Sequence, residues 1–243
     1  MDTPESWDDF AQTYTEIQAE SQLPIQSDVV KTLINHHLLP AQSVLDLASG
    51  SGRYGLKLAE HATEVTLLDW STNMLTLAKK AAKKRQLNNI TYTTADWHTY
   101  RQSADLVFIS QLPTLKVTDL PRISQLSRQA VAINHQTRQD DHLLAEGAAW
   151  LGIPVPPVYQ ADANLMADYR AWLQATNQPF KRQVFTYHRT EAVTIADLVP
   201  EFDVPLGVNQ VAAMAQALTG DKDPHQPVDD VIDYQFELLT WLT

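Results

Sequence analysis

Three polar clusters in the first hundred positions have residue types and spacing suited to binding chemistry. The first is Asp46-Leu47-Ala48-Ser49-Gly50-Ser51-Gly52, which closes the apolar stretch 43–48. Its glycines let the backbone approach a ligand closely. A helix starting there would aim its free N–H groups and positive end at the same point, so an anionic or polar ligand group is expected. The second is Asp69, seventeen residues past Gly52 and at the end of the stretch 64–69. A carboxylate so placed can hold both hydroxyls of a ribose. The third is Asp96-Trp97, after 90–95. Its carboxylate can accept from an exocyclic amino group, and its indole can lie over a purine. No nucleophile or general base is identified. His135, just past the stretch 129–134, is the one side chain weighed as a base.

The elements that must position these residues follow from apolar periodicity. Stretches 43–48, 64–69, 90–95, 104–109 and 129–134 read as strands, and 53–62 as a helix. Ser71 or Thr72 caps a second helix running to about Gln86, with Met74, Leu75, Ala78 and Ala82 on one face. The cations at 79–85 suit the negative end of that helix. Helices are also expected over 7–18, 28–37, 141–151 and 162–174, and in a proline-marked insertion or lid at 189–230. Stretches 183–188 and 232–241 are expected to pair as antiparallel strands. The fold class is thus α/β, a Rossmann-like parallel sheet flanked by helices, with an antiparallel C-terminal hairpin and helical additions.

Composition narrows the function. The 243 residues carry 18 basic and 29 acidic side chains, a net charge of −11. Residues 1–40 hold seven acids and one base, and residues 189–243 hold ten and two. Nucleic acid is therefore an unexpected partner. No apolar run approaches the ~20 residues that cross a bilayer. The acidic start is unlike a signal or transit peptide. Absence of cysteine excludes disulfides, thiolate catalysis and cysteine-ligated zinc, and fits a cytoplasmic location. His36, His37, His98, His135, His142, His188 and His225 lack metal-ligand spacing, so no metal is expected.

Gly50-Ser51-Gly52-Arg53-Tyr54-Gly55 matches G-x-G-x-x-G, the dinucleotide-binding pattern, with Asp69 at a plausible distance. That leaves an NAD(P)-dependent oxidoreductase as an alternative. Against it, Asp46 interrupts the strand before the first glycine, some 42 residues precede that strand, and Asp96-Trp97 has no role.

At these residues the chain resembles the class I S-adenosylmethionine-dependent methyltransferases. Asp46-x-Ala48-x-Gly50-x-Gly52 is similar to the family's first motif, with Ala48 in place of a glycine. Asp69-Trp70-Ser71 with Met74, Leu75 and Ala78 is similar to the second, and Asp96-Trp97 to the third. Trp7-x-x-x-Ala11-x-x-Tyr14 is similar to an N-terminal segment that covers the bound cofactor in many members. The resemblance covers about residues 5–137. It implies that Gly50 and Gly52 pass close to the methionine part of S-adenosylmethionine and that Asp46 supports its ammonium group. It further implies that Asp69 holds the ribose hydroxyls, Trp70 and Met74 pack on the adenine, Asp96 binds the adenine amino group, and Trp97 flanks the ring. Tyr14 would reach the carboxylate. Ser110, which opens Ser110-Gln111-Leu112-Pro113 after the fourth strand, is added to the cofactor-binding set. That segment departs from the acid or amide, two prolines and an aromatic of nucleic-acid and glutamine amino-methylating relatives.

The expectation is one methyltransferase domain over 1–243: an N-terminal helical cap at 1–40, a cofactor-binding core at 41–137, and a C-terminal part at 138–243 that adds the acceptor site. The acceptor is expected to be a small neutral or cationic molecule. A non-catalytic S-adenosylmethionine-binding protein is the second alternative. The acceptor's identity and the oligomeric state are left open.

Overall fold

A computed structural model describes residues 3–243. In chain order it contains α1 (Pro4–Glu20), α2 (Ile25–Asn35), β1 (Ala41–Leu47), α3 (Gly55–Leu58), β2 (Ala62–Asp69), α4 (Thr72–Lys84), β3 (Ile90–Thr94), β4 (Ala104–Ser110) and α5 (Leu120–Leu126). There follow β5 (Ser127–Asp141), α6 (His142–Leu151), α7 (Ala163–Ala175), β6 (Phe180–Val193), α8 (Ile195–Leu198), α9 (Val208–Thr219) and β7 (Val228–Leu242). One sheet takes the order β3-β2-β1-β4-β5-β7-β6. The first five strands pair in parallel, and β6 and β7 make the expected hairpin. Parallel strands are covered on both faces, which is why β4 is buried from Ala104 to Ile109 and β1 from Ser43 to Leu47.

The sheet reverses its order between β1 and β4, so the strand ends part there. Register puts Asp46 beside Phe108 and Phe108 beside Ala132. Alternation then divides the sheet. Leu45, Leu47, Val107, Ile109, Val131 and Ile133 enter an apolar core with Trp97, Leu120, Ile123, Met166, Tyr169 and Trp241. Asp46, Phe108, Ser110, Ala132 and Asn134 occupy the other face.

The chain forms two compact units. The first comprises residues up to His135 with Asn164–Phe185 and Glu237–Thr243. Within it the buried Glu237 carboxylate pairs with Arg170 and, at 2.8 Å, with Arg182. The second comprises Gln136–Ala163 and Thr186–Phe236. Its core joins Leu143, Leu144 and Ala148 of α6 to Ile195, Leu198, Phe202, Met214 and Ala215. Two carboxyls cap α6: Leu143 N–H donates to Asp230 (2.9 Å) and Leu144 N–H to Asp141 (2.8 Å). Burial and the facing Asp230 push Asp141 up to about 6. In the same unit Asp233 pairs with His142 (3.2 Å) and with His188. Among the described residues no helix is long and apolar enough to cross a membrane.

Three expectations are corrected. The helix over 53–62 is four residues of α-helix and a 3₁₀ turn at Ala59–His61, because β2 already begins at Ala62. Residues 189–193 are strand, continuing β6 rather than opening a helical insertion. β5 runs on from 134 to Asp141. The crossover from β4 to β5, for which no element was expected, contains α5, whose Leu120, Ile123 and Leu126 sit at helical spacing and are buried.

Candidate functional site

The glycine turn is built by hydrogen bonds to the end of β2. Ser49 N–H donates to Leu68 C=O (3.0 Å), and Gly50 N–H donates to Asp69 Oδ2 (2.7 Å). Ser71 N–H donates to Asp69 Oδ1 (2.9 Å), so one carboxylate ties the turn after β1 to the start of α4. Gly52 N–H closes on Ser49 C=O (3.0 Å). Ala48, Gly50 and Gly52 all have left-handed backbone, with φ of 56°, 53° and 82°. Alanine resists that region, so Ala48→Gly is expected to raise stability by about 1 kcal/mol, and Tm by roughly 2–4 °C, in calorimetry.

The three glycines of the turn do different jobs. A side chain at Gly50 would meet Tyr14 and Met74 at 3.9 and 4.0 Å, ordinary van der Waals contact, so here the left-handed backbone rather than crowding calls for glycine. At Gly52 it would press on Ala78, Leu56 and Leu67 at 3.2–3.3 Å, so this glycine permits packing of strand on helix. At Gly55 it would lie 2.1 Å from Leu67 and 2.6 Å from Asp46 Oδ2. Gly55→Ala must displace a fully buried leucine or the carboxyl, and is expected to cost ~1–3 kcal/mol in urea denaturation.

The expected helix-end anion site is corrected as well. α3 has four residues, and the Gly50 and Gly52 N–H groups are consumed inside the turn. What the turn offers instead is acceptors. Asp46 Oδ2 and Ser49 Oγ are buried without a hydrogen-bond partner. Asp46 is 3% exposed, and burial pushes its carboxyl up to about 8, with the Asp69 charge adding to the effect. Such a group calls for a cation or a hydrogen-bond donor. Asp69 is also raised by burial, against the N–H groups that stabilise its ionised form.

α1 lies against the first turn of α4. Asp8 accepts from the Ser71 hydroxyl (2.6 Å) and Asn73 N–H (2.9 Å), and these bonds hold its carboxyl below the usual range. Trp7, Phe10 and Tyr14 form an aromatic cluster, with the Trp7 and Tyr14 rings 5.5 Å apart. This places Tyr14 beside Gly50, as a covering segment requires. Burial raises the Tyr14 hydroxyl, which is hydrogen-bonded to Gln18. Met74 is fully buried and Trp70 half-buried at the start of α4.

At the end of β3, Ala95 N–H donates to Asp69 C=O (2.9 Å), which brings Asp69 and Asp96 to adjacent strand ends. Asp96 is half-exposed. Burial works to raise it, but His98 N–H (2.9 Å) and the His98 ring (2.8 Å) outweigh that and hold it below the usual range. Trp97 departs from expectation: its ring is 7% exposed, packs in the apolar core, and stacks on His98 at 3.7 Å. The ring at the surface beside Asp96 is therefore His98. His135 is 3% exposed, as buried as the core around it.

At the end of β4, Ser110 joins two residues that sequence reasoning missed. Asn134 Nδ2 donates to Tyr54 Oη (3.0 Å) and to Ser110 Oγ (3.1 Å). Asn134 belongs to no recognisable motif, and Tyr54 stands at a variable position of the G-x-G-x-x-G match. Only the strand register and α3 bring them to Ser110.

Residues 44–133 match the family model described as Methyltransferase domain. A search of curated proteins finds no match. Among solved structures, a candidate methyltransferase of Bacillus halodurans C-125 aligns with TM-score 0.55 at 12% identity, covering 89% of this chain and 98% of that one. Magnesium protoporphyrin IX methyltransferase of Synechocystis PCC 6803, with bound S-adenosylhomocysteine, aligns with TM-score 0.50 at 16% identity, covering 86% and 80%. The YcgJ protein of Bacillus subtilis aligns with TM-score 0.50 at 12% identity, covering 84% and 92%. These likenesses establish the fold. The matched domain, which contains the glycine turn, Asp69 and Asp96, gives no support to the dinucleotide alternative. Residues 44–133 thus carry a methyltransferase domain, and the chain is similar in fold to the class I methyltransferases, enzymes whose cofactor is S-adenosylmethionine.

Proposed function

We propose that this protein transfers a methyl group from S-adenosylmethionine to a small-molecule acceptor. The observation that carries the cofactor placement is the buried, unpartnered oxygen of Asp46 near the end of β1, followed by a turn whose Gly50 N–H is tied to Asp69 and whose Gly50 position is covered by Tyr14 of α1. Laid across the strand ends in sheet order, adenine falls to Asp96 on the β3 side with Trp70 and Met74 packing on it. The ribose falls to Asp69 at β2, and the methionine part to Asp46, Ala48 and Gly50 at β1, with Gly52 holding the turn. Tyr14 covers this end, and Trp97 supports the adenine side from the core. The cofactor supplies a methyl group on a sulfonium, a leaving group that needs no protonation. What the chain must add is orientation and exclusion of water.

Net charge supports the acceptor class. At −11, with acidic residues concentrated at both ends of the sequence, a polyanionic acceptor would meet repulsion on approach. A thermal-shift panel tests the reading. S-adenosylmethionine and S-adenosylhomocysteine should raise Tm at 100 µM, a common working concentration, and NAD should not. Stabilisation by NAD alone would overturn it. Micromolar RNA binding at physiological salt would overturn the small-molecule acceptor.

A further inference from the structure

Two carboxyls from different strands hold the N-terminus of α6. Asp141, the last residue of β5, accepts from Leu144 N–H at 2.8 Å, and Asp230 of β7 accepts from Leu143 N–H at 2.9 Å. Neighbouring amides thus bring the two carboxyls together, and they are hydrogen-bonded to each other. Asp230 is 2% exposed, and its second oxygen, Oδ2, meets no donor among the described residues. Carboxylate oxygens only accept, so two carboxyls bond to each other only with a proton between them. Ionised together, they would leave a buried oxygen unsatisfied beside a like charge. The charges around the pair are matched elsewhere. On β6, Glu191 pairs with Arg189 at 3.0 Å. On β7, Asp233 pairs with His142 of α6 and His188 of β6. On β5, Asp140 pairs with Arg138 at 3.0 Å. Tyr234 of β7 faces the same cluster, while Asp229 and Glu146 are exposed.

We propose that Asp141 and Asp230 form a proton-operated joint: one shared proton ties the end of β5 to β7 across the first turn of α6, and its loss at neutral pH loosens that turn. The proton belongs to the pair rather than to either residue. Burial and the facing carboxyl hold Asp141 at about 6, against ~3.9 in an opened or unfolded segment. With the folded value above the open one, the joint contributes its full stability below about 4 and loses it as pH rises through about 6. Leu143 and Leu144, whose amides the pair holds, are buried with Phe202, Met214 and Ala215 in the core of the second unit. Loosening the first turn of α6 therefore reaches the packing of that unit.

Hydrogen exchange read by mass spectrometry on the full chain, from pH 5 to pH 7, tests this against Asp141→Asn. Asparagine keeps the acceptor for Leu144 N–H and gives Asp230 a permanent donor. Wild type and variant are compared at the same pH, so intrinsic exchange and titrations elsewhere in the chain cancel in the ratio of their rates. For peptides within 142–151, the ratio of wild-type to variant rate should rise about tenfold from pH 5 to pH 7. For peptides of β1 to β4 it should stay level. Asp230→Asn, which puts the donor on the other partner, should behave as Asp141→Asn does. His188→Gln, which removes only a partner of Asp233, should keep the wild-type pH dependence. A ratio independent of pH for both asparagine variants would mean that no proton is shared. A rise spread evenly over the chain would mean that no local joint exists. A pH dependence that vanishes in His188→Gln would assign the proton to the Asp233 cluster. Any of these three results overturns the inference.

Discussion

Urea denaturation of Asp46→Asn, repeated from pH 5 to pH 9, is expected to show the variant gaining on the wild type as pH rises. Asp46 is buried with one oxygen unpartnered, and its carboxyl sits at about 8 in the folded chain. In an unfolded chain it returns to ~3.9. Between these values the folded state holds a proton that the unfolded state has lost. The contribution of Asp46 to stability therefore falls with rising pH, by up to ~1.4 kcal/mol per pH unit, and levels off above about 8. Asparagine keeps the shape and removes the slope. Cofactor affinity should run the other way. Opposite a cationic group the ionised carboxyl is favoured, so wild-type binding of S-adenosylhomocysteine should strengthen from pH 6 to 8, by at most tenfold per unit. Asp46→Asn should bind more weakly and without that dependence. Parallel pH profiles for the two proteins would show that Asp46 does not titrate in this range.

The second large effect is expected at Asp69. Its two oxygens accept from Gly50 and Ser71 N–H, so Asp69→Ala removes a ligand contact and the tie that shapes the turn. Loss of hydrogen bonds from ribose to a charged group costs ~1.5–3 kcal/mol, or roughly 10–150-fold in affinity. Backbone donors left without acceptors should add a loss of about 1–3 kcal/mol in folding stability. Asp69→Asn keeps one acceptor and should show a smaller loss in both. Calorimetric titration and denaturation on the same samples separate the two effects. Stability lost with affinity retained would make Asp69 a turn residue alone.

The second unit suggests why a motif-based reading is confined to part of this chain. Its packing rests on contacts such as Gly147 with Phe202, where a side chain at the glycine would come within 2.5 Å of the ring. Nothing in the residue type of either position announces that contact. The glycines at 50 and 52 are different, because a strand end, a left-handed turn and a following helix impose local requirements that glycine meets.

Much of the architecture was therefore legible in local pattern. Parallel strands buried on both faces must be short apolar runs, and β1 to β4 read as such within two residues of each boundary. The cap at Ser71 and the apolar face of α4 were equally local, since both depend on neighbours within a few positions. So was the acidic residue at each of three strand ends. Tertiary structure decided what those residues do. Trp97 enters the core and yields the surface beside Asp96 to His98, because packing around Leu45, Val107 and Ile123 leaves an apolar space that a large ring fills. Asp69 became the acceptor that closes the glycine turn. Asn134 and Tyr54, eighty positions apart, meet at Ser110 only because β4 and β5 pair in one register and the turn before α3 brings the Tyr54 ring to Phe108. Periodicity reports which face a side chain occupies. Which side chains share that face is set by strand order and register, and these depend on contacts between segments far apart in the chain.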